Sequence, residues 1–392
     1  MPQPRRVGRP KRPGRWTSAA GRIVMAAAFT GLLAGCGNQS GPTPPPTGGS
    51  TAPLPTASTT TPTPTATPIP TPQLVESITL VASIGEPKAW TPAGLTWIGI
   101  QSTAARIGAA AGLVQPVSNA ELMADVEQAA QAHGAVVVTV GPAADAAVQA
   151  AAAAHPATQF LEMDAAVPDT SPPNVHGLVF DEAEAGYLAG YVAAKFATSG
   201  KVGMVGDTAA DTSTSNYAGG LRSGALQAAP AAVVSVAYGG SPDLPDRGRT
   251  AAAGLVKAGN SVIVVMSSLT GIGASRQACS SQVRVVAVGT DAWQTVPDVQ
   301  ACLIVSVMKR YDVAVTGAIT AVASGKTVAG LAMNDVADGG IALSDFHADR
   351  PTGFGSDLDA LIATLRAGPP RPTPSTPTPS SAPSPSAKPS PK

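Results

Sequence analysis

The stretch Ser261-Val-Ile-Val-Val-Met266, followed after one helix length by Val283-Arg-Val-Val-Ala-Val288-Gly289-Thr290-Asp291, decides the fold class. Both runs are almost unbroken Val and Ile. A strand wetted on one face alternates apolar with polar residues, whereas a parallel strand covered on both faces reads as a continuous apolar run. The same character recurs in Ala135–Val140, Gln159–Met163, Gly177–Phe180, Lys201–Val205 and Leu303–Val307, and strand-like runs also occupy Ser77–Ser83 and Val233–Tyr238. Helical periodicity fills the intervals. Ala183–Thr198 places Tyr187, Leu188, Tyr191 and Val192 on one face, and a last helix, capped by Ser356 and ended by Gly368, turns Leu358, Leu361, Ile362 and Leu365 inward. Alternation of this kind predicts an α/β fold with parallel sheets wound by helices. Nearly 300 residues are too many for one such sheet, so two lobes are expected.

The folded region, 74–368, lies between two stretches of different composition. Residues 37–73 and 369–392 are dominated by Pro, Ser and Thr and cannot bury a core. Both are read as disordered. At the N-terminus seven basic residues precede the apolar run Ile23–Ala34 and then Leu33-Ala34-Gly35-Cys36. That order predicts a signal peptide over 1–36 with Cys36 as the lipidated residue, too short in its apolar part to be a membrane span. It places the chain at the extracytoplasmic face of the cell membrane, held by a lipid anchor.

The formal net charge of zero over 392 residues conceals an asymmetry. After Cys36 there are 25 acidic and 18 basic residues, a net −7 that argues against a nucleic-acid partner. Aromatic residues are only 4% of the chain, so the core is built from Ala, Val and Leu. Cys279 and Cys302 remain in an oxidising compartment; they either pair or stay as buried thiols.

Signals for catalysis are missing. There is no Gly-x-Ser-x-Gly elbow and no Walker loop, and His133, His155, His176 and His347 are scattered without metal-ligand spacing. Asp207 and Asp211, the nearest thing to a hydrolase carboxylate pair, read as solvated loop residues. No enzyme activity, cofactor or metal is expected. Binding residues are sought instead where ligands of open parallel sheets sit, at the carboxyl ends of strands. Asp145 follows Val140-Gly141-Pro142 and Asp291 follows Val288-Gly289-Thr290. Each carboxylate can accept two hydroxyl hydrogen bonds or a base N–H; by position alone Asp145 reads first as a first-turn aspartate favoured by the helix dipole, while Asp291 reads as readily as a ligand group as a turn residue or N-cap. Thr270 and Gly271, after Met266, suit the tight turn at the rim of a cleft.

From about Asp181 onward the sequence resembles the basic membrane protein (BMP) family, lipoprotein substrate-binding components of ABC transporters, several of which bind purine nucleosides. The likeness rests on Glu184-Ala-Gly-Tyr-Leu-Ala-Gly-Tyr-Val-Ala-Ala-Lys195, Gly200-Lys-Val-Gly-Met-Val-Gly206, Asn216-Tyr-Ala-Gly-Gly-Leu-Arg-Ser-Gly224, Val307-Met-Lys-Arg-Tyr-Asp-Val-Ala-Val315 and Asp338-Gly-Gly340. It covers most of residues 74–366 and is specific as a set. The resemblance implies a type I periplasmic binding protein: two Rossmann-like lobes, crossed three times and hinged around the ligand. On this basis the first lobe takes about 74–180 and 292–325, the second about 181–291 and 326–368. It further implies that Asp145 holds a nucleobase edge, that Asp291 holds ribose hydroxyls, and that Lys309 binds ligand or pairs with Asp291 or Asp312. Trp90 is the counterpart of the family's stacking aromatic, with Trp97 in the core. An ABC permease is the implied membrane partner, and a monomer the implied state.

The chain departs from the family in three places. Gly85-Glu-Pro-Lys-Ala-Trp90 lacks the usual Asp-x-x-Phe-Asn order, Pro242 stands where a second stacking aromatic is common, and Ser267-Ser268-Leu269 replaces a glycine-rich turn. Half of an aromatic sandwich is therefore missing, unless Trp293 supplies it from beyond Asp291. Base stacking contributes on the order of 1–3 kcal/mol. These departures motivate a second reading, a ligand sensor or surface interaction module on the same fold without a transport role.

Overall fold

The computed structural model describes residues 75–82, 88, 90–326, 328 and 330–368. The expected signal peptide, Cys36 lipidation site, Pro/Thr-rich linker and tail lie outside them.

The first sheet begins with β1 (Ser77–Val81), α1 (Pro92–Ile107), β2 (Ala110–Val114), α2 (Asn119–Ala130), β3 (Ala135–Val140), α3 (Asp145–Ala154), β4 (Gln159–Met163) and β5 (Val175–Phe180). The second follows with α4 (Glu182–Phe196), β6 (Lys201–Gly206), α5 (Thr212–Ala228), β7 (Val233–Tyr238), α6 (Pro245–Lys257), β8 (Val262–Met266), α7 (Leu269–Ser280), β9 (Arg284–Gly289), α8 (Ala292–Thr295) and β10 (Leu303–Lys309). The chain then alternates through α9 (Tyr311–Ala323), β11 (Leu331–Asn334), β12 (Ile341–Leu343) and α10 (Phe354–Arg366). Strand order is β11-β5-β4-β3-β1-β2 in one six-stranded sheet and β12-β10-β9-β8-β6-β7 in the other. Every pairing is parallel except that of β12 with β10. This is the two-lobed type I periplasmic binding protein fold.

The crossing points differ from those expected. β10 pairs with β9, so 303–309 belongs to the second sheet and not to the first lobe. β11 pairs with β5, so 331–334 returns to the first. Helix α9 between them packs on α1 of the first lobe, which keeps that part of the expected boundary. The three crossover segments are therefore Asp181, Arg310 and the residues just after Asn334. Backbone bonds from Arg310 to Gly340 and from Asp181 to Asn334 hold them side by side.

The apolar runs behave as their composition requires. In the first sheet Val137, Phe160 and Val175 pack under α2 and α3, while Val138, Leu161 and Met163 pack on the opposite face with Ile100, Val315 and Ile319. In the second, Val205, Ile263 and Val265 meet Leu255 and Ala274, and Val202, Met204 and Val264 meet Leu188, Val192 and Leu221. Trp97 is partly buried against this core. The last helix packs Leu358, Leu361, Ile362 and Leu365 inward, but its N-cap is Gly353 at φ 76° rather than Ser356, whose hydroxyl donates back to Gly353. Gly368 follows its end at φ 70°. Cys279 and Cys302 form a disulfide, Cα to Cα 5.4 Å, tying the end of α7 to the entry of β10.

Helices α4 and α5 approach so closely that no Cβ fits between them. A methyl at Gly186 or Gly190 would strike the backbone of Tyr217 or Leu221, and one at Gly220 or Gly224 the backbone of Ala183 or Tyr187. The two Gly-x-x-x-Gly spacings are thus reciprocal contact surfaces, and they set the position of Tyr217 at the cleft.

Candidate functional site

A cavity of about 400 Å³ opens at the carboxyl ends of strands from both sheets. The first sheet and its α1 contribute Trp90, Thr91, Pro92 and Asp164. The second contributes Asp207 after β6, Met266 to Ser268 after β8, Val288 to Thr290 after β9 and Lys309 ending β10, with Ser213, Tyr217 and Tyr311 completing the wall. A pocket of this size, with apolar walls and a few convergent polar groups at strand ends, has the form of small-molecule sites in open α/β sheets.

Each polar group has a local reason for its position. Thr91 caps α1, its Oγ1 accepting from the Gly94 amide at 3.1 Å, and this fixes Trp90 just outside the helix. Trp90 is 41% exposed at the mouth and adopts φ 72°, an unusual conformation for a bulky residue. Ser268 caps α7 by accepting from Gly271 N at 3.0 Å, while its own hydroxyl donates to Asp207 Oδ1 at 2.6 Å. Ser267 Oγ donates to the Val288 carbonyl at 2.8 Å and accepts from Thr290 N at 2.8 Å, locking β8 to β9. Asp207 is only 8% exposed. Burial raises its pKa, the Ser268 hydrogen bond opposes this, and Asp211 and Asp243 add to the rise.

Lys309 is the electrostatic centre of the cleft. Its Nζ donates to Asp164 Oδ1 and Oδ2 at 2.9 and 3.0 Å and to Glu182 Oε1 at 2.8 Å, and Tyr311 OH donates to Asp164 Oδ2 at 2.9 Å. Asp164 ends the first sheet's β4 and Lys309 ends the second sheet's β10, so the pair spans the lobes. Burial alone would depress the lysine's pKa, but Tyr217, Tyr311, Asp164 and Glu182 outweigh it and hold Lys309 protonated. Its donors are all engaged by protein. The expected pairing with Asp291 or Asp312 is not formed; Asp312 binds Arg310 at 2.7 Å.

Of the six residues expected at the site, Trp90, Gly271 and Lys309 line the cavity. Gly271 is there because a Cβ would collide with the Met266 backbone. Thr270 is fully buried behind it, its hydroxyl donating to the Ser241 carbonyl and accepting from Leu244 N at 3.0 Å, so it secures the loop that includes Pro242. Asp291 caps α8: Oδ1 accepts from Trp293 N at 3.1 Å and Ser306 Oγ at 3.2 Å. Its neighbours Thr290 and Ala292 line the cavity, whereas Asp291 itself does not. Trp293 stacks on His347, centroids 3.8 Å apart, rather than facing the cleft.

Asp145 also stands outside the cavity, in the first turn of α3. Its Oδ1 is buried without a donor, as are Glu162 Oε1 and Thr139 Oγ1. Thr139 and Glu162 are paired across β3 and β4. Burial raises the Asp145 pKa, and burial together with the Asp145 charge pushes Glu162 up to about 7.

Sequence reasoning missed Asp164, Asp207, Tyr217 and Tyr311. The rule that singled out Asp145 and Asp291 applies equally to Asp164, directly after Met163, and to Asp207, directly after Gly206. Asp207 is not a solvated loop residue but buried, and Asp211 caps α5 by accepting from Thr214 N at 2.7 Å. Among the described residues no cluster of three or more His, Cys, Asp or Glu could hold a metal ion, and no helix is long and apolar enough to cross a membrane.

Comparison with known proteins agrees with this architecture. The chain is similar to the solved ABC transporter solute-binding protein from Aeropyrum pernix K1 (24% identity, TM-score 0.56, covering 74% of this chain and 86% of that one). It is also similar to one from Conexibacter woesei DSM 14684 (22%, TM-score 0.59, 75% and 97%). At such identities the likeness concerns the fold. In sequence, 132 residues are 30% identical to the ABC transporter nucleoside-binding protein BmpA of Lactococcus lactis subsp. cremoris, an alignment covering 34% of this chain and 37% of that relative. The family model described as "ABC transporter substrate-binding protein PnrA-like" matches residues 96–353, and the chain accordingly belongs to the Bmp family of ABC transporter substrate-binding proteins.

Proposed function

We propose that this protein is a lipid-anchored extracytoplasmic receptor that captures a nucleoside between its two lobes and delivers it to an ABC permease. The observation that carries the reading is the cavity at the carboxyl ends of both sheets, walled by an exposed indole on one side and by hydrogen-bonding side chains on the other. Trp90 offers its face to a base. Asp145, at the carboxyl end of the first sheet, suits the base edge when the lobes close. Asp291 retains an Oδ2 without a donor among the described residues, next to Thr290 and Ala292 in the wall, and suits a ribose diol. Lys309, saturated by Asp164 and Glu182, acts as a tether between lobes rather than as a ligand group, and the adjacent crossovers at Asp181, Arg310 and after Asn334 form the hinge. Membrane attachment through Cys36 follows the lipoprotein signal in the sequence.

The test is a thermal-shift screen of the mature protein against nucleosides, nucleobases and sugars. A ligand that binds only the folded state raises the melting temperature. Stabilisation by a nucleoside, weakened about tenfold in affinity by Trp90→Ala through loss of stacking, supports the reading. A flat response across the nucleosides refutes it.

A further inference from the structure

We infer that Asp207 is a further ligand-binding carboxylate of the second lobe, beside Asp291, accepting a hydroxyl hydrogen bond and excluding ligands that carry a phosphate at that position. This rests on the nucleoside reading above and specifies one end of the ligand. Asp207 is 8% exposed and lines the cavity. One oxygen is committed: Ser268 Oγ donates to Oδ1 at 2.6 Å, and Ser268 is itself fixed as the cap of α7. Oδ2 has no donor among the described residues. Lys309 is the one cation among the described residues lining the cavity, and its ammonium is shared by Asp164 and Glu182. Asp207 therefore faces the cleft as a carboxylate with no neutralising cation beside it, oriented by the serine hydroxyl that donates to it.

Position assigns the hydroxyl. Asp291 follows β9 and Asp207 follows β6, with β8 between them. Two strand spacings separate these ends by roughly 10 Å, and hydrogen bonds of about 2.7 Å from each carboxylate leave roughly 5 Å, the breadth of one pentose ring. With the 2′,3′-diol on Asp291, the remaining ribose hydroxyl, the 5′-OH, falls to Asp207. A 5′-phosphate would place like charges together in a site with no free cation.

The deciding experiment is calorimetric titration of the mature protein and its Asp207→Asn and Ser268→Ala variants. The probes are a purine nucleoside, its 5′-deoxy analogue and its 5′-monophosphate. The wild type is expected to bind the nucleoside tenfold or more tightly than either analogue, the range of a hydrogen bond to a charged group. Asp207→Asn should shrink the preference over the monophosphate, and Ser268→Ala should weaken nucleoside binding by a smaller factor. Comparing ligands on the wild type keeps the test valid even where a variant folds poorly. Equal wild-type affinity for nucleoside and 5′-deoxynucleoside, or an unchanged monophosphate gap in a folded Asp207→Asn protein, overturns the assignment and leaves the receptor reading intact. Failure of every nucleoside to bind overturns both.

Discussion

Glu162→Gln is expected to make the protein more stable, and only at neutral and alkaline pH. Glu162 is 1% exposed on the central part of the first sheet, and its Oε1 has no donor. Burial first, and the nearby Asp145 second, push its pKa from 4.5 to about 7. Because the folded-state value is raised, the folded protein holds a proton that the unfolded chain releases between these limits. The corresponding stability is fully present below about pH 4.5 and is lost as pH rises through 7. The gap between the two values corresponds to about 3 kcal/mol. Glutamine keeps the size and polarity of the protonated acid but cannot ionise. In urea titrations the two proteins should coincide at pH 4. By pH 8 the variant should be ahead by up to about 3 kcal/mol, a midpoint shift of about 1–2 M for an ordinary urea slope. A difference that stays constant from pH 4 to 8, or a variant less stable at pH 8, would refute the argument that this carboxyl is buried without compensation.

Three further perturbations test other parts of the structure. Lys309→Ala leaves Asp164 and Glu182 facing each other without their cation and should cost about 3–5 kcal/mol in denaturant unfolding, far more than a surface lysine. Gly220→Ala drives a methyl into the Ala183 backbone and should cost about 1–3 kcal/mol, with nucleoside affinity falling as Tyr217 shifts. Replacing Cys279 and Cys302 together by serine should cost about 3 kcal/mol, because the loop they close is short; unchanged thermal unfolding of the double variant would contradict this.

The fold was legible because its strands are buried on both faces and so carry a continuous apolar signature. Ala135–Val140 has no exposed residue, and its apolar run in the sequence has the bounds of the strand. The strands that escaped notice are the edge or short ones. Ala110–Val114 is Ala- and Gly-rich and has no buried residue, Leu331–Asn334 buries only Asn334, and Ile341–Leu343 has only three residues. Missing β11 hid the return to the first sheet, and the earlier crossing was misplaced because the partner of Leu303–Val307, β9, is not written in the local sequence. The site was legible as a principle, carboxylates at strand ends, but not as a choice among them. Whether a strand-end aspartate faces a ligand, caps a helix or binds a lysine depends on neighbours distant in sequence. Asp164 meets Lys309 across 145 positions, and Asp207 meets Ser268 across 61. Asp291 and Asp211 both sit where a helix starts and both cap it, so the alternative of an ordinary helix cap describes their observed contacts.

The most direct test of the receptor account is a crystal structure of the protein with the nucleoside that gives the largest thermal shift. The account predicts the base against Trp90 and the ribose between Asp291 and Asp207, with Lys309 still bound to Asp164 and Glu182. A nucleoside bound outside the cleft, or a cleft left empty under saturating ligand, would contradict it.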